Sequence, residues 1–506
     1  MLQENKPPVR VLMELRPALG GHAGIPQATR LLFRSLASLD DVQVTGLLQS
    51  GEHVLARGLP SASAGWLGSM PADRQMNRLG RVVISIEERT WALYARATLL
   101  TIGTLVKHAC GGGQRLTRFE AAHFRDYLWR RFFARTLPAE DLEAVLQAAF
   151  RVARLPWNAQ HICALVTGKL GFPVYPRLDT RDFDVMICET PHPATVARNT
   201  TLVIHYHDAI PLLMPHTISD RRWHHAFHYG ALRHNVLSGA WFACVSNATR
   251  NDLLSVFPQA EPRAVTIHNM VSHYYHDGPS ERARVPEIIR TRLSTRLEPP
   301  LDPAVRRRLF GETGLAGELD YLLIVATIEP RKNHLTLLSA WEQLRAAGFR
   351  TLKLVIVGEL GWHHEQIVRK FRRWLDRGEA FLLEDVMAEE LRVLYAQATL
   401  TVCPSFGEGF DFSGVEAMRS GCAVAASDLP VHREVFGDAA QYFNPYSFES
   451  LARAIESVID PAAQARRREL IEKGATVAGR YTQAAILPKW QEFLTTSVRA
   501  PVAHRS

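Results

Sequence analysis

Residues 404–421 read PSFGEGFDFSGVEAMRSG, and this stretch decides the fold. The preceding run, Thr399–Cys403, is apolar and β-prone, so a strand enters a glycine-rich loop that leads into a helix. The loop therefore lies at the carboxyl end of a strand, where open α/β sheets bind their ligands. Glu408 and Glu416 stand eight positions apart across it. Gly407 and Gly409 let backbone N–H groups come close to a ligand, and two carboxylates can accept hydrogen bonds from hydroxyl groups. A purely structural alternative also fits: Ser413 and Glu416 make an S-x-x-E capping box, with Gly421 as the helix stop. That alternative leaves Glu408 without a role.

A second strand end has a related character. Tyr321–Ile328 is continuously apolar and is followed by Glu329-Pro330-Arg331-Lys332-Asn333, then by a helical pattern in Leu335, Leu338, Trp341 and Leu344. Arg331 and Lys332 thus fall at a helix N-terminus, the positive pole of the backbone dipole, where cations are unfavourable unless something negative is present. A phosphate or diphosphate held by N–H groups and two cationic side chains resolves the conflict. The other option is that both side chains point into solvent.

These residues resemble a known family, the retaining GT-B glycosyltransferases of glycosyltransferase family 4. The E-x7-E pattern and the EPRKN strand end carry the resemblance, which is continuous over about residues 321–454 and patchier before. It implies two Rossmann-like α/β domains with parallel sheets facing across a cleft. It further implies that Arg331 and Lys332 neutralise a donor diphosphate, that Glu408 contacts the transferred sugar, and that Glu416 binds the ribose hydroxyls. The backbone of Gly409, Phe410 and Asp411 would line the sugar subsite. The chain departs from the common EGFGLP form at Asp411-Phe412-Ser413. An extra carboxylate there leaves the donor hexose open and makes this tripeptide the expected seat of sugar specificity.

The opposite wall of the cleft has its own candidates. Gly20, Gly21 and Gly24, around His22, separate the first strand from a helical pattern, as an ordinary tight turn or as a loop admitting phosphate or acceptor. In the family this loop faces the donor phosphates and the acceptor. Thr201–Leu212, TLVIHYHDAIPL, resembles the family's HD-x-I-P-L segment. Strand geometry puts His205 and His207 on one side. The resemblance sends His207 to the donor sugar, and Asp208 either fixes its tautomer or orients the acceptor hydroxyl. Glu189-Thr190-Pro191-His192 ends a further strand toward the same cleft. Asp182-Phe183-Asp184 is a D-x-D, a pattern that holds a divalent metal in another transferase class, but it begins a strand rather than ending one. With Arg331 and Lys332 supplying charge, no metal and no cofactor are expected.

Composition agrees with a large enzyme. The 506 residues, 47% hydrophobic and 22% charged, suit two or more soluble domains. Six scattered cysteines read as reduced core thiols of a cytoplasmic protein, the N-terminus has no apolar signal core, and no run reaches membrane-spanning length. The formal net charge of +8 asks for an anionic partner without naming it. Arg118–Arg135 mixes Phe119, Phe124, Trp129, Phe132 and Phe133 with five arginines, and Trp91–Val106 is largely apolar. Those helices either lie on an anionic bilayer at the inner face of the cytoplasmic membrane or pack into the core. No nucleic-acid motif is present.

Alternating strands and helices place an N-terminal domain at 1–275, with a helix-rich insertion at about 65–172. A connection at 276–320 leads to a nucleotide-sugar domain at 321–480, and a final helix within 481–506 crosses back to the first domain. The resulting expectation is a retaining hexosyltransferase that uses a nucleoside-diphosphate sugar, GDP-mannose first, and a glycan or lipid-linked acceptor for surface polysaccharide. Two rivals stand beside it: another GT-B enzyme such as a nucleotide-sugar epimerase or phosphorylase, and a non-catalytic scaffold.

Overall fold

The computed structural model describes residues 7–22, 24–60, 70–88, 100–103, 106, 112–310 and 319–498. Its strands in the first half are β1 (Val9–Glu14), β2 (Val42–Leu48), β3 (Gln114–Arg115), β4 (Thr117–Phe119), β5 (Ala149–Val152), β6 (Leu178–Asp179), β7 (Val185–Cys188), β8 (Thr201–Tyr206), β9 (Trp241–Cys244) and β10 (Ala264–Thr266). Eight of these form one sheet in the order β10-β9-β8-β7-β1-β2-β5-β4, parallel throughout except for the β4–β5 pair. β3 and β6 pair separately. Burial on both faces explains why β7 is apolar at every position, the mark of a parallel sheet covered by helices.

The second half contributes β11 (Tyr321–Val325), β12 (Lys353–Val357), β13 (Ala380–Leu383), β14 (Leu400–Cys403), β15 (Val424–Ser427) and β16 (Ala440–Phe443). They run β13-β12-β11-β14-β15-β16, all parallel, which is the doubly wound Rossmann order with its reversal between β11 and β14. In the first sheet the chain reverses between β1 and β7. The two reversals carry the glycine loops noted in the sequence, and the histidine strand end follows β8, the neighbour of β7.

Three stretches read differently in three dimensions. The insertion is not only helical, because β4 and β5 extend the first sheet. Its aromatic face belongs to the core: Phe119, Phe132 and Phe133 are buried, and Phe133 stacks on Phe33 with centroids 5.5 Å apart. Those rings are not available to a bilayer, whereas the apolar run 91–106 lies outside the described residues except for 100–103 and 106. The expected connection is also packed. Helix Arg284–Arg292 buries Val285, Ile288 and Ile289 against the second domain, and Ser294 N–H donates to Leu382 O at 2.8 Å.

Helix Gln483–Glu492 and the turn after it place Ile486, Trp490, Phe493 and Leu494 in the first domain's core. Five cysteines, 163, 188, 244, 403 and 422, are buried free thiols; Cys110 lies outside the described residues. Among the described residues no helix is long and apolar enough to cross a membrane.

Candidate active site

The loops at the two sheet reversals meet in a cleft cavity of about 450 Å³. After β11 the chain turns through Pro330–Lys332 and reaches Asn333, which adopts a left-handed φ of 58° before helix His334–Ala346. The Asn333 Nδ2–H group donates to Pro404 O and to Pro445 O, both at 2.9 Å, and so ties this loop to the one after β14. That tie brings the two acidic and basic strand ends together.

Glu408 sits between the two cations. Its Oε2 is 3.0 Å from Arg331 Nη1, and its Oε1 is 2.5 Å from Lys332 Nζ. Arg331 also donates to Gly407 O at 2.7 Å and pairs with buried Glu329 at 2.9 Å. Burial opposes charge on Glu408, but Lys332 and Arg331 outweigh it and hold its carboxyl below the usual range. Burial likewise opposes charge on Arg331, and Glu408 with Glu329 reverses it. The charge conflict that pointed to an external anion is therefore met inside the chain by Glu408.

Glu416 has a different environment. It is 3% exposed, accepts from Gln27 Nε2 of the other domain at 2.6 Å, and accepts from Tyr395 OH at 3.2 Å. Burial pushes its carboxyl up to about 7. It is not part of a capping box. Helix Phe412–Arg419 is capped by Asp411, which takes a φ of 70° and accepts from Gly414 N–H. Asp411 accepts a second bond from Ser413 Oγ at 2.7 Å and lies 3.0 Å from His432 Nε2. Burial opposes its ionisation, yet His432 and Lys332 hold it far below the usual range. Both of its oxygens are engaged by Ser413, Gly414 and His432, while the residue also lines the cavity. Phe410 sends its ring into the core, 5.1 Å from Tyr481.

Across the cleft, Gly21, His22 and Gly24 line the cavity but Gly20 does not. Gly20 turns its carbonyl toward buried Arg30 and toward Arg135, at 3.0 and 2.8 Å. Arg30 also grips the carbonyls of Ala18, Gly21 and Phe132, at 2.7, 3.0 and 2.7 Å, and burial lowers its guanidinium to about 9. This arginine shapes the glycine loop from beneath. Gly24, at φ 72°, starts helix Ile25–Leu36, whose first turn carries Gln27.

His207 and Asp208 both line the cavity. The partner of His207 is not Asp208, whose Oδ1 instead accepts from Ile210 N–H at 3.0 Å in a tight turn. His207 Nε2 lies 2.9 Å from Glu189 Oε2, and His205 Nδ1 is equally 2.9 Å from that same oxygen. A carboxylate facing both nitrogens assigns an N–H to each and fixes both tautomers. Burial opposes ionisation of Glu189, but the two imidazoles bring it down to about 2. Burial, then His205, lowers His207. Glu189 lies beneath the cleft rather than in it, and no signal in a single sequence joins it to His207 beyond the shared strand ends. Gln27, Arg30 and Tyr395 likewise carry no signal in a single sequence that joins them to the site. The D-x-D is remote from this site, with Asp184 held by Arg10 at 2.7 Å.

Two facing Rossmann-like domains with ligand-competent loops at both sheet reversals define the GT-B class. Its likeness to sucrose-phosphate synthase from Thermosynechococcus elongatus spans 96% of this chain and 98% of that one, with a TM-score of 0.54 at 13% identity. Residues 305–477 match the family of group 1 glycosyl transferases. The chain thus carries a group 1 glycosyltransferase domain on a GT-B fold, in line with its resemblance to family 4. The serotype-specific mannosyltransferase WbdA of Escherichia coli is 25% identical over 465 residues, 87% of this chain and 52% of that protein. The O-antigen chain mannosyltransferase B of Escherichia coli is 34% identical over 141 residues, 28% of this chain and 37% of its own length. The chain therefore spans about half the length of the first of these relatives and less of the second.

Proposed function

We propose that this protein is a retaining, metal-independent glycosyltransferase. It moves a hexose, mannose in the first instance, from a nucleoside-diphosphate sugar to a glycan or lipid-linked glycan in surface-polysaccharide assembly at the cytoplasmic side of the membrane. The observation that carries this reading is the Glu408 carboxylate set between Arg331 and Lys332 at a sheet reversal, with His207 facing it from the other domain.

In the reaction the bond from the anomeric carbon to the diphosphate oxygen breaks while a bond to the acceptor oxygen forms. Negative charge grows on the departing diphosphate, and Arg331 and Lys332 are positioned to share themselves between it and Glu408. The acceptor's proton passes to the departing phosphate oxygen, so the new bond forms on the face the leaving group vacates. Glu408 is the group assigned to the sugar, and Glu416, with its carboxyl near neutrality, is assigned to the ribose hydroxyls. Gly409, Phe410 and Asp411 line the same cavity, and their backbone is assigned to the sugar. The names of the relatives, which are mannosyltransferases, support mannose as the sugar, and GDP-mannose is the donor proposed with it.

The test is transfer from GDP-mannose, UDP-glucose and ADP-glucose to an oligomannose or lipid-linked acceptor, with the product's anomeric configuration read by NMR. Turnover with GDP-mannose, retained configuration and full rate in excess chelator are expected. Inversion would overturn the stereochemical part, and loss of rate in chelator restored by Mg or Mn would overturn metal independence. Consumption of free nucleotide sugar without any acceptor would replace transfer by epimerase- or phosphorylase-type chemistry.

A further inference from the structure

The first domain holds a second cavity, of about 1640 Å³, that shares no lining residue with the cleft. It reaches the amino ends of β7 and β8, where Asp182 and Arg198 sit just before the strands. The cleft loops leave those strands at their other ends.

The lining contains eight arginines and only two aspartates. One of the two, Asp179, is already committed to Arg181 through two bonds of 2.8 Å. Arg57, Arg78, Arg115, Arg151 and Arg198 have no ion pair among the described residues, and Asp182 is the one other acid in the lining, with Glu120 also acting on Arg151 from outside it. Arg151 projects from β5 on the side opposite buried Phe150, in register with Leu47. It is half-buried, and burial lowers its pKa. The sequence stretches 61–69, 89–99 and 104–111 of the insertion contain no Asp or Glu that might supply a counter-charge.

Five guanidinium groups without ion-pair partners lining one cavity give it a positive field that favours a multiply charged anion. Their forked donors match the oxygens of a phosphoryl group better than a point charge would. A concavity of this kind also suits a ligand that enters it rather than a flat protein face.

We propose that this cavity is a second anion site, distinct from the cleft, that takes a phosphate-bearing group of the diphosphate or phosphate-ester kind, held by Arg57, Arg115, Arg151 and Arg198. The group comes either from a soluble phosphorylated molecule or from the headgroup of an anionic lipid. The proposal does not depend on the cleft being a transferase site; only the second class of site in its test rests on that reading.

Calorimetric titration of the full chain with inorganic pyrophosphate tests it. Two classes of site are expected in the wild type. The variant Arg57→Gln/Arg198→Gln changes two exposed side chains. It should keep the wild-type melting curve and bind about tenfold or more weakly at one class only. The variant Arg331→Gln/Lys332→Gln should lose the other class. Cosedimentation with phosphatidylglycerol vesicles, but not phosphatidylcholine vesicles, competed by pyrophosphate and lost in Arg57→Gln/Arg198→Gln, assigns the group to a lipid headgroup. Pyrophosphate binding without vesicle binding assigns it to a soluble molecule. Pyrophosphate affinity unchanged in both Arg57→Gln/Arg198→Gln and the separate Arg151→Gln variant overturns the proposal.

Discussion

Gln27 of the first domain donates to Glu416 of the second across 2.6 Å, so a single side-chain bond joins the helix after the glycine loop to the helix after Glu408. Burial raises this carboxyl from an ordinary 4.5 to about 7. Between those values the folded chain holds a proton that the unfolded chain has released. Stability therefore falls as pH rises through that window and levels off above it, by roughly 3 kcal/mol at most. Glu416→Gln should flatten the dependence. Urea unfolding at pH 5 and pH 8 checks this, and equal pH slopes in wild type and variant would show that Glu416 is not the buried acid.

Lys332→Ala removes one of the two cations on Glu408 and leaves that carboxylate with Arg331 alone. Breaking the pair costs stability, about 3 kcal/mol if the site behaves as fully buried. Loss of diphosphate stabilisation should lower kcat by about a hundredfold or more. Thermal melting and nucleoside-diphosphate release measured on one preparation separate the two effects. Full turnover in a folded variant would remove Lys332 from the leaving-group role.

The sheets are legible in the sequence where strands are apolar at every position, as in β7 and β11, and not at the short strands β3–β6 or at β13 and β16. Ala380–Leu383 is only four residues long and lies between helices, and Ala440–Phe443 has Gln441 and Tyr442 in its middle, so neither shows a period that separates strand from helix. Arg331, Lys332 and Glu408 could be placed together because each ends a strand at one sheet reversal. Asp411 could not be placed, since its role depends on His432, twenty-one residues further along the chain and buried against it. The same holds for Gln27 and Glu416, which are far apart in sequence and meet only because two domains close on each other.

Gly409 marks how closely they approach. A Cβ at this position would lie 1.7 Å from His207 O, and Gly409 O accepts from Ser246 Oγ at 2.7 Å. Backbone meets backbone here, so Gly409→Ala forces these two loops, and with them the domains, apart. Each domain keeps its own core, and the expected result is a folded protein with a larger radius of gyration by X-ray scattering. Displacing catalytic groups by this much should cost about a hundredfold in turnover. Wild-type compactness together with wild-type turnover would mean that the cleft need not close at this point.

Glu189 supports His207 from below without lining the cleft, which makes it a positioning residue. Its Oε2 faces both imidazoles, while Oε1 is buried without a partner among the described residues. Glu189→Gln keeps the shape and removes the charge. Loss of a charge-assisted bond of this kind corresponds to about tenfold in rate, expected in kcat, with the donor KM little changed because Glu189 does not touch the cavity. A second readout is independent of turnover. The imidazoles hold Glu189 at about 2 against an ordinary 4.5, so its contribution to stability is complete above 4.5 and lost as pH falls toward 2. Acid unfolding should therefore begin at higher pH in the wild type, relative to its own neutral stability, than in Glu189→Gln. An unchanged kcat, with acid unfolding that follows the wild type, would leave the Glu189 pair with His207 as a purely architectural contact.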